Sequence, residues 1–182
     1  MAPIDGEDHV RGPERAPVSV VLYGHYQNAD CARLSPLLQE LVQRRAPILR
    51  FAYRHFPLPA SHLYPCAMMA AETAEAAAVR DRFWQMHDWL FKGFRQLDAN
   101  VLLSGVELFG FPVEAVELEL SYHRFLGRIR RDTDSGVRCG VSRAPALFVN
   151  GSRLKSQEFL DLVPAIDVAI SRALAPGRGS AS

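Results

Sequence analysis

The sequence predicts an α/β domain in which one small sheet is interrupted by a block of helices. Three observations carry this. The apolar run Val18-Ser19-Val20-Val21-Leu22-Tyr23, the helical pattern from Ala32 to Arg45 and the second apolar run from Pro47 to Phe56 make a βαβ unit. Such a unit pairs its strands in parallel through a right-handed crossover. From about Tyr64 to Gly136 the pattern is helical throughout. The chain then returns to strand over Gly140 to Arg153, and Asn150-Gly151 within it is a strong hairpin signal.

Composition bounds the function classes. The chain has 182 residues and 48% hydrophobic content, which suits one domain with a sizeable core. Charge is balanced, with 21 Lys+Arg against 20 Asp+Glu, so no basic excess points to nucleic acid. No apolar stretch approaches the roughly 20 residues of a membrane helix. Met1 to Asp8 lacks the basic and apolar regions of a signal peptide. Three cysteines, at 31, 66 and 139, are too few and too scattered for a disulfide scaffold. Reduced thiols and a cytoplasmic location are the expectation.

Taken in order, residues 1–16 read as a polar loop, with His9 and Arg11 on the surface. Val18 to Tyr23 reads as a central strand buried on both faces. Asn28 or Asp30 is placed to cap the helix that follows. Leu34, Leu37, Leu38, Leu41 and Val42 recur on one face of it, and Pro36 lies inside it. The second strand ends at Pro57 and Pro59.

Helices are expected over Pro65 to Val79, Arg80 to Phe94, Ala99–Phe109 and Pro112–Leu120. A longer one carries Tyr122, Phe125, Leu126 and Ile129 on one face, with Arg128, Arg130, Arg131, Asp132 and Asp134 on a solvated face. The methionines and aromatics of this block read as core packing, and His62, His87 and His123 as structural or solvated. The last helix is capped by Ser156 with Glu158 near its N3 position, and lines Phe159, Leu160, Leu162, Val163, Ile166 and Ile170 on its apolar face. Residues 175–182, rich in Pro, Gly and Ser, read as a disordered tail.

A family resemblance covers roughly Asp8 to Leu174. The DsbA-like branch of the thioredoxin fold carries a strand, then Tyr-Gly-Asp-Phe-Glu-Cys-Pro-Tyr-Cys, then a helix. The corresponding stretch here is Tyr23-Gly24-His25-Tyr26-Gln27-Asn28-Ala29-Asp30-Cys31. Arg54-His55-Phe56-Pro57-Leu58 is similar to the family's RHFPL, and Gly140-Val141-Ser142-Arg143-Ala144-Pro145-Ala146-Leu147-Phe148-Val149-Asn150-Gly151 to its GVxGTPTFFING. The resemblance implies one thioredoxin-fold domain over 1–182, with a mixed central sheet and a helical insertion at about 62–138. It also implies a cis peptide before Pro145, facing the turn after the first strand.

One departure governs the functional reading. Dithiol exchange needs one thiolate to attack and a second thiol to resolve the mixed disulfide. By the resemblance the attacking position is Asn28, and only Cys31, one helical turn deeper, is a thiol. The acidic positions of the family pattern are His25 and Gln27 here, and its proline is Ala29.

Four readings follow. In the favoured one the domain is redox-inactive and binds a peptide, protein or small molecule at His25, Gln27, Asn28, Arg143, Ala144 and Pro145. The cis-Pro loop would present backbone groups to an extended ligand. In the second, Cys31 is the catalytic thiol of a monothiol enzyme acting with glutathione or a protein thiol, and the helix end and Arg143 hold an anion. In the third, the domain is a thiol-disulfide oxidoreductase in which Cys31 pairs with Cys66 or Cys139, which requires Cα atoms within about 7 Å. In the fourth, His25, Cys31, His55 and Cys66 hold zinc, without any short ligand spacing to support it. No metal and no resident cofactor are expected under the first reading.

Overall fold

The computed structural model describes residues 3–57, 63–155 and 162–175. Two seven-residue strands, β2 (Val18–Gly24) and β3 (Leu49–His55), are joined by helix α1 (Ala29–Arg44). They pair in parallel, with Val18 opposite Leu49 and Gly24 opposite His55. Both read as apolar because both faces are covered. Val18, Val20, Val21, Leu22 and Tyr23 are fully buried, as strands of a parallel pair under helices must be. Each aliphatic side chain so buried stabilises the fold by roughly 1.5–3 kcal/mol.

Antiparallel strands extend this pair on both sides. Strand β1 (His9–Arg11) runs along β3 with His9 opposite Tyr53. Strand β4 (Ala146–Val149) runs along β2, and β5 (Ser152–Arg153) closes the hairpin. The turn between them uses positive φ at Asn150 and Gly151, the conformation for which Asn-Gly is selected. Among the described residues the order β1-β3-β2-β4-β5 makes a mixed five-stranded sheet, and the fold is a thioredoxin-like α/β fold.

The placement of His9 and Arg11 corrects the loop expectation. They lie on the edge strand and are largely covered. His9 Nε2 is 2.8 Å from Glu75 Oε1, and Arg11 Nη2 is 2.6 Å from Asp88 Oδ2. The outer edge of β3 needs a hydrogen-bonding partner, and three residues of backbone supply it. A strand of three mixed residues is too short to show a period of two.

Between β3 and β4 the described residues form five helices: α2 (Ala67–Ala78), α3 (Phe83–Lys92), α4 (Ala99–Leu108), α5 (Val113–Ser121) and α6 (Leu126–Arg138). Helix α2 is nearly all buried, and its alanines let the backbone approach its neighbours closely. Phe83, Met86, Leu90 and Phe91 of α3 enter the main core.

Helix α6 departs from expectation twice. It begins at Leu126, so Tyr122 and Phe125 are not on its face. Tyr122 is exposed, and His123 adopts φ 49°, which breaks the helical run. Its charged face is also not all solvated. Arg130 and Asp134 are exposed, but Asp132 is buried, accepts the His55 backbone N–H at 2.9 Å, and is ion-paired with Arg128 and Arg131. The cause is one turn further on. Gly136 sits so close to the sheet that a Cβ there would lie 2.8 Å from the Phe56 ring. That approach carries Asp132 over the end of β3.

The N-terminal segment is held down by a buried ion pair. Arg54 Nε and Nη2 donate to the Asp8 carboxylate at 2.8 and 2.7 Å, while Nη1 donates to Tyr23 Oη and Ser135 Oγ at 2.9 and 3.2 Å. Helix α7 (Leu162–Leu174) places Leu162 and Ile166 in the core. Ser156, Glu158, Phe159 and Leu160, expected at its start, lie outside the described residues, as do His62 and residues 176–182.

Candidate functional site

Strand β2 ends at Gly24, and four residues turn the chain into α1. The turn closes with the Asn28 N–H donating to the His25 carbonyl at 3.2 Å. Gly24 is tightly enclosed: a Cβ there would crowd Tyr53 at 3.1 Å and the Cys31 sulfur at 3.2 Å.

Asn28 is the N-cap of α1. Its Oδ1 accepts the backbone N–H groups of Asp30 and Cys31, both at 2.9 Å. Its Nδ2 donates across to the Ala144 carbonyl at 3.4 Å. The half-buried Asn28 amide therefore takes up two free N–H groups of the helix end and ties the turn to the loop before β4. The Ala144–Pro145 peptide in that loop is cis.

Gln27 ties the same turn to the helical block. Its Nε2 donates to the Leu97 carbonyl at 3.2 Å, and its Oε1 accepts the Cys66 N–H at 2.8 Å. Tyr26 points inward. Its hydroxyl is 3.1 Å from His87 Nδ1, and His87 Nε2 is 3.1 Å from Ser35 Oγ. His87, read as structural, is fully buried in this chain of polar contacts.

His25 is buried at 1% exposure, packs edge-on against the Tyr64 ring at 4.6 Å, and has no hydrogen-bond partner at either ring nitrogen among the described residues. Burial pushes its pKa down to about 4, so the ring is neutral at neutral pH.

Cys31 is fully buried. Burial raises its thiol to about 12; the His25 backbone N–H favours the thiolate, but the Asp30 charge opposes it. The thiol therefore stays protonated at neutral pH and is shielded from solvent. Cys66 and Cys139 are half-buried, and all three cysteines are unpaired. Arg143 is exposed and enters no ion pair among the described residues, and Ala144 beneath it is buried.

The structure thus joins His25, Gln27, Asn28 and Cys31 in one turn and links that turn to Ala144 and Pro145. It does not gather His25, Cys31, His55 and Cys66 around one point. Instead, His55 meets His9 and Glu75, a grouping the sequence reading missed. Charged residues at 72 and 75 inside an alanine-rich helix were the available signal, since a buried glutamate requires a partner.

A family model described as thioredoxin matches residues 5–168. The chain belongs to the thioredoxin family. Solved structures share its DsbA-like fold. BdbD from Bacillus subtilis in its oxidised form superposes with a TM-score of 0.76 at 19% identity, covering 91% of this chain and 94% of that one. The alpha-DsbA1 of Wolbachia pipientis gives 0.75 at 15% identity, with 95% of each chain covered.

The sequence is similar to curated proteins named Na(+)/H(+) antiporters. It is 37% identical to NhaA 3 of Salinispora tropica over 179 residues, which is 98% of this chain and 26% of that protein. It is 32% identical to NhaA of Herminiimonas arsenicoxydans over 165 residues, 90% of this chain and 26% of that protein. The chain therefore spans about a quarter of these relatives' length. No helix among the described residues is long and apolar enough to cross a membrane.

Proposed function

We propose that this thioredoxin-family chain is a binding domain without dithiol oxidoreductase activity, which takes an extended peptide or small ligand beside Pro145. The observation that carries the reading is Asn28. It stands where the DsbA-like pattern places the attacking cysteine, and its amide caps the helix end that a thiolate would otherwise use. An asparagine cannot attack a disulfide, and the remaining thiol in the turn is buried and held protonated.

The ligand surface is the rim formed by Asn28, Arg143, Ala144 and Pro145. Backbone groups at such a loop recognise extended chains without help from a thiol. Burial of Cys31 favours this reading over a monothiol enzyme acting with glutathione. The likeness to a quarter of proteins named Na(+)/H(+) antiporters suggests a domain carried by, or paired with, a membrane transporter. Three unpaired thiols suit a reducing compartment, and we place the domain in the cytoplasm on that ground.

The test is an insulin-reduction assay with dithiothreitol, run on the wild-type chain and on Asn28→Cys. The wild type should not exceed the uncatalysed rate, and Asn28→Cys should gain activity because it completes a Cys-x-x-Cys turn at the helix end. Peptides selected on the wild type should bind Cys31→Ser equally well. Catalysis by the wild type, or loss of peptide binding in Cys31→Ser, would overturn the reading.

A further inference from the structure

We propose that His9, His55 and Glu75 form a binding site for a divalent transition-metal ion, with zinc as the best match to the donor set. The three residues come from different elements, β1, β3 and α2. His9 Nε2 and His55 Nε2 both lie 2.8 Å from the same oxygen, Glu75 Oε1. One donor atom from each residue lies within 4.8 Å of the other two. Two imidazoles and a carboxylate are the ligands of an open zinc site, which keeps its fourth position for water or a further ligand.

The side chains are held from behind. His9 stacks on Phe83 with ring centroids 3.5 Å apart. The His55 backbone N–H is fixed by Asp132, and its ring meets Tyr53 and Phe83 edge-on. His55 is fully buried and Glu75 nearly so, while the His9 side chain is 17% exposed. The approach is therefore from the β1 edge, past the His9 side chain.

The metal-free arrangement fits a cation by a small expansion. Donor atoms around a zinc with bonds of about 2.0–2.2 Å are about 3.4 Å apart, so the two contacts must open by roughly half an ångström. In the metal-free state the imidazole N–H groups meet the carboxylate oxygen. Metal binding transfers each proton to Nδ1 or to solvent and places the cation between the three donors. His55 Nδ1 has no acceptor among the described residues, and missing support of that kind costs roughly 10–100-fold in metal affinity. The site is accordingly of moderate affinity. It lies apart from the proposed peptide rim and does not depend on that reading.

The test uses the full chain with Cys66→Ser and Cys139→Ser, which removes the two accessible thiols as competing ligands. After chelator treatment, Co²⁺ is titrated and followed by its visible absorption, then displaced with Zn²⁺. One ion per chain is expected, and zinc should raise Tm because the ion joins three elements. His9→Gln is the deciding variant, since its edge position leaves the core intact. It should weaken binding at least tenfold and abolish the rise in Tm. His9→Cys should restore binding and add a thiolate-to-cobalt band in the near ultraviolet. No stoichiometric cobalt spectrum, or binding indifferent to His9→Gln, would overturn the proposal.

Discussion

Cys31 should be the least reactive thiol in the native protein, although it sits in the turn where thioredoxin-family chemistry takes place. The perturbation is alkylation with iodoacetamide at a series of pH values, resolved for each cysteine by peptide mass spectrometry. With its thiol pushed up to about 12, roughly one molecule in ten thousand carries the thiolate at pH 8. An ordinary thiol near 8.5 is about one quarter ionised there, so the nucleophile is scarcer by about 2,000-fold before access is counted. Complete burial adds a second barrier. Cys66 is half-buried, and its thiol is raised by partial burial and by the Asp98 charge. It serves with Cys139 as an internal reference. The native protein should lose Cys66 and Cys139 first, with Cys31 slower by at least a thousandfold. Urea below the unfolding midpoint should accelerate Cys31 in step with global opening. Labelling of Cys31 at the rate of Cys66, or an apparent pKa for Cys31 below 8.5, would refute the argument and revive the monothiol enzyme.

Three further outcomes follow from named contacts. Asn28→Ala removes the acceptor of two helix N–H groups and should lower stability by about 1 kcal/mol, measured by urea unfolding. The His25 ring is depressed from 6.5 to about 4, so the unfolded chain binds a proton that the folded chain refuses. The stability this contributes is complete above pH 6.5 and is lost as pH falls toward 4. About 2 kcal/mol should disappear between pH 7.5 and 5, at 1.36 kcal/mol per pH unit. His25→Phe should reduce the loss by that amount, while the buried His87, whose pKa burial also lowers, continues to contribute; equal slopes in variant and wild type would show that His25 has no part in it. Asp8→Ala leaves the Arg54 guanidinium buried without its bidentate partner and should cost roughly 3–5 kcal/mol, read as a fall in the denaturation midpoint.

The sequence by itself determined the sheet's centre, the order of helices and strands from β2 onward, and the turn from Gly24 to Cys31, but not the edge strand β1. These features are encoded locally. Val18 to Tyr23 is apolar without a break, Leu34, Leu38 and Leu41 repeat at helical spacing, and Asn150-Gly151 suits the left-handed turn it occupies. Asn28 was legible as a cap for the same reason, since the capping bonds reach only two and three residues along the chain.

What the tertiary structure decided are the meetings of residues distant in sequence. The Asn28 amide contacts the Ala144 carbonyl across 116 positions. His9 and His55 converge on Glu75 only because β1 pairs with β3 and α2 packs over that edge. Asp132 belongs to a charged helix by composition, yet it is buried because Gly136 lets α6 approach the sheet. The state of Cys31 is of this kind too. Its place in the turn is local, but its reactivity is set by what covers it. The complete burial of the sulfur, which lies 3.2 Å from where a Cβ on Gly24 would sit, is a property of the assembled fold.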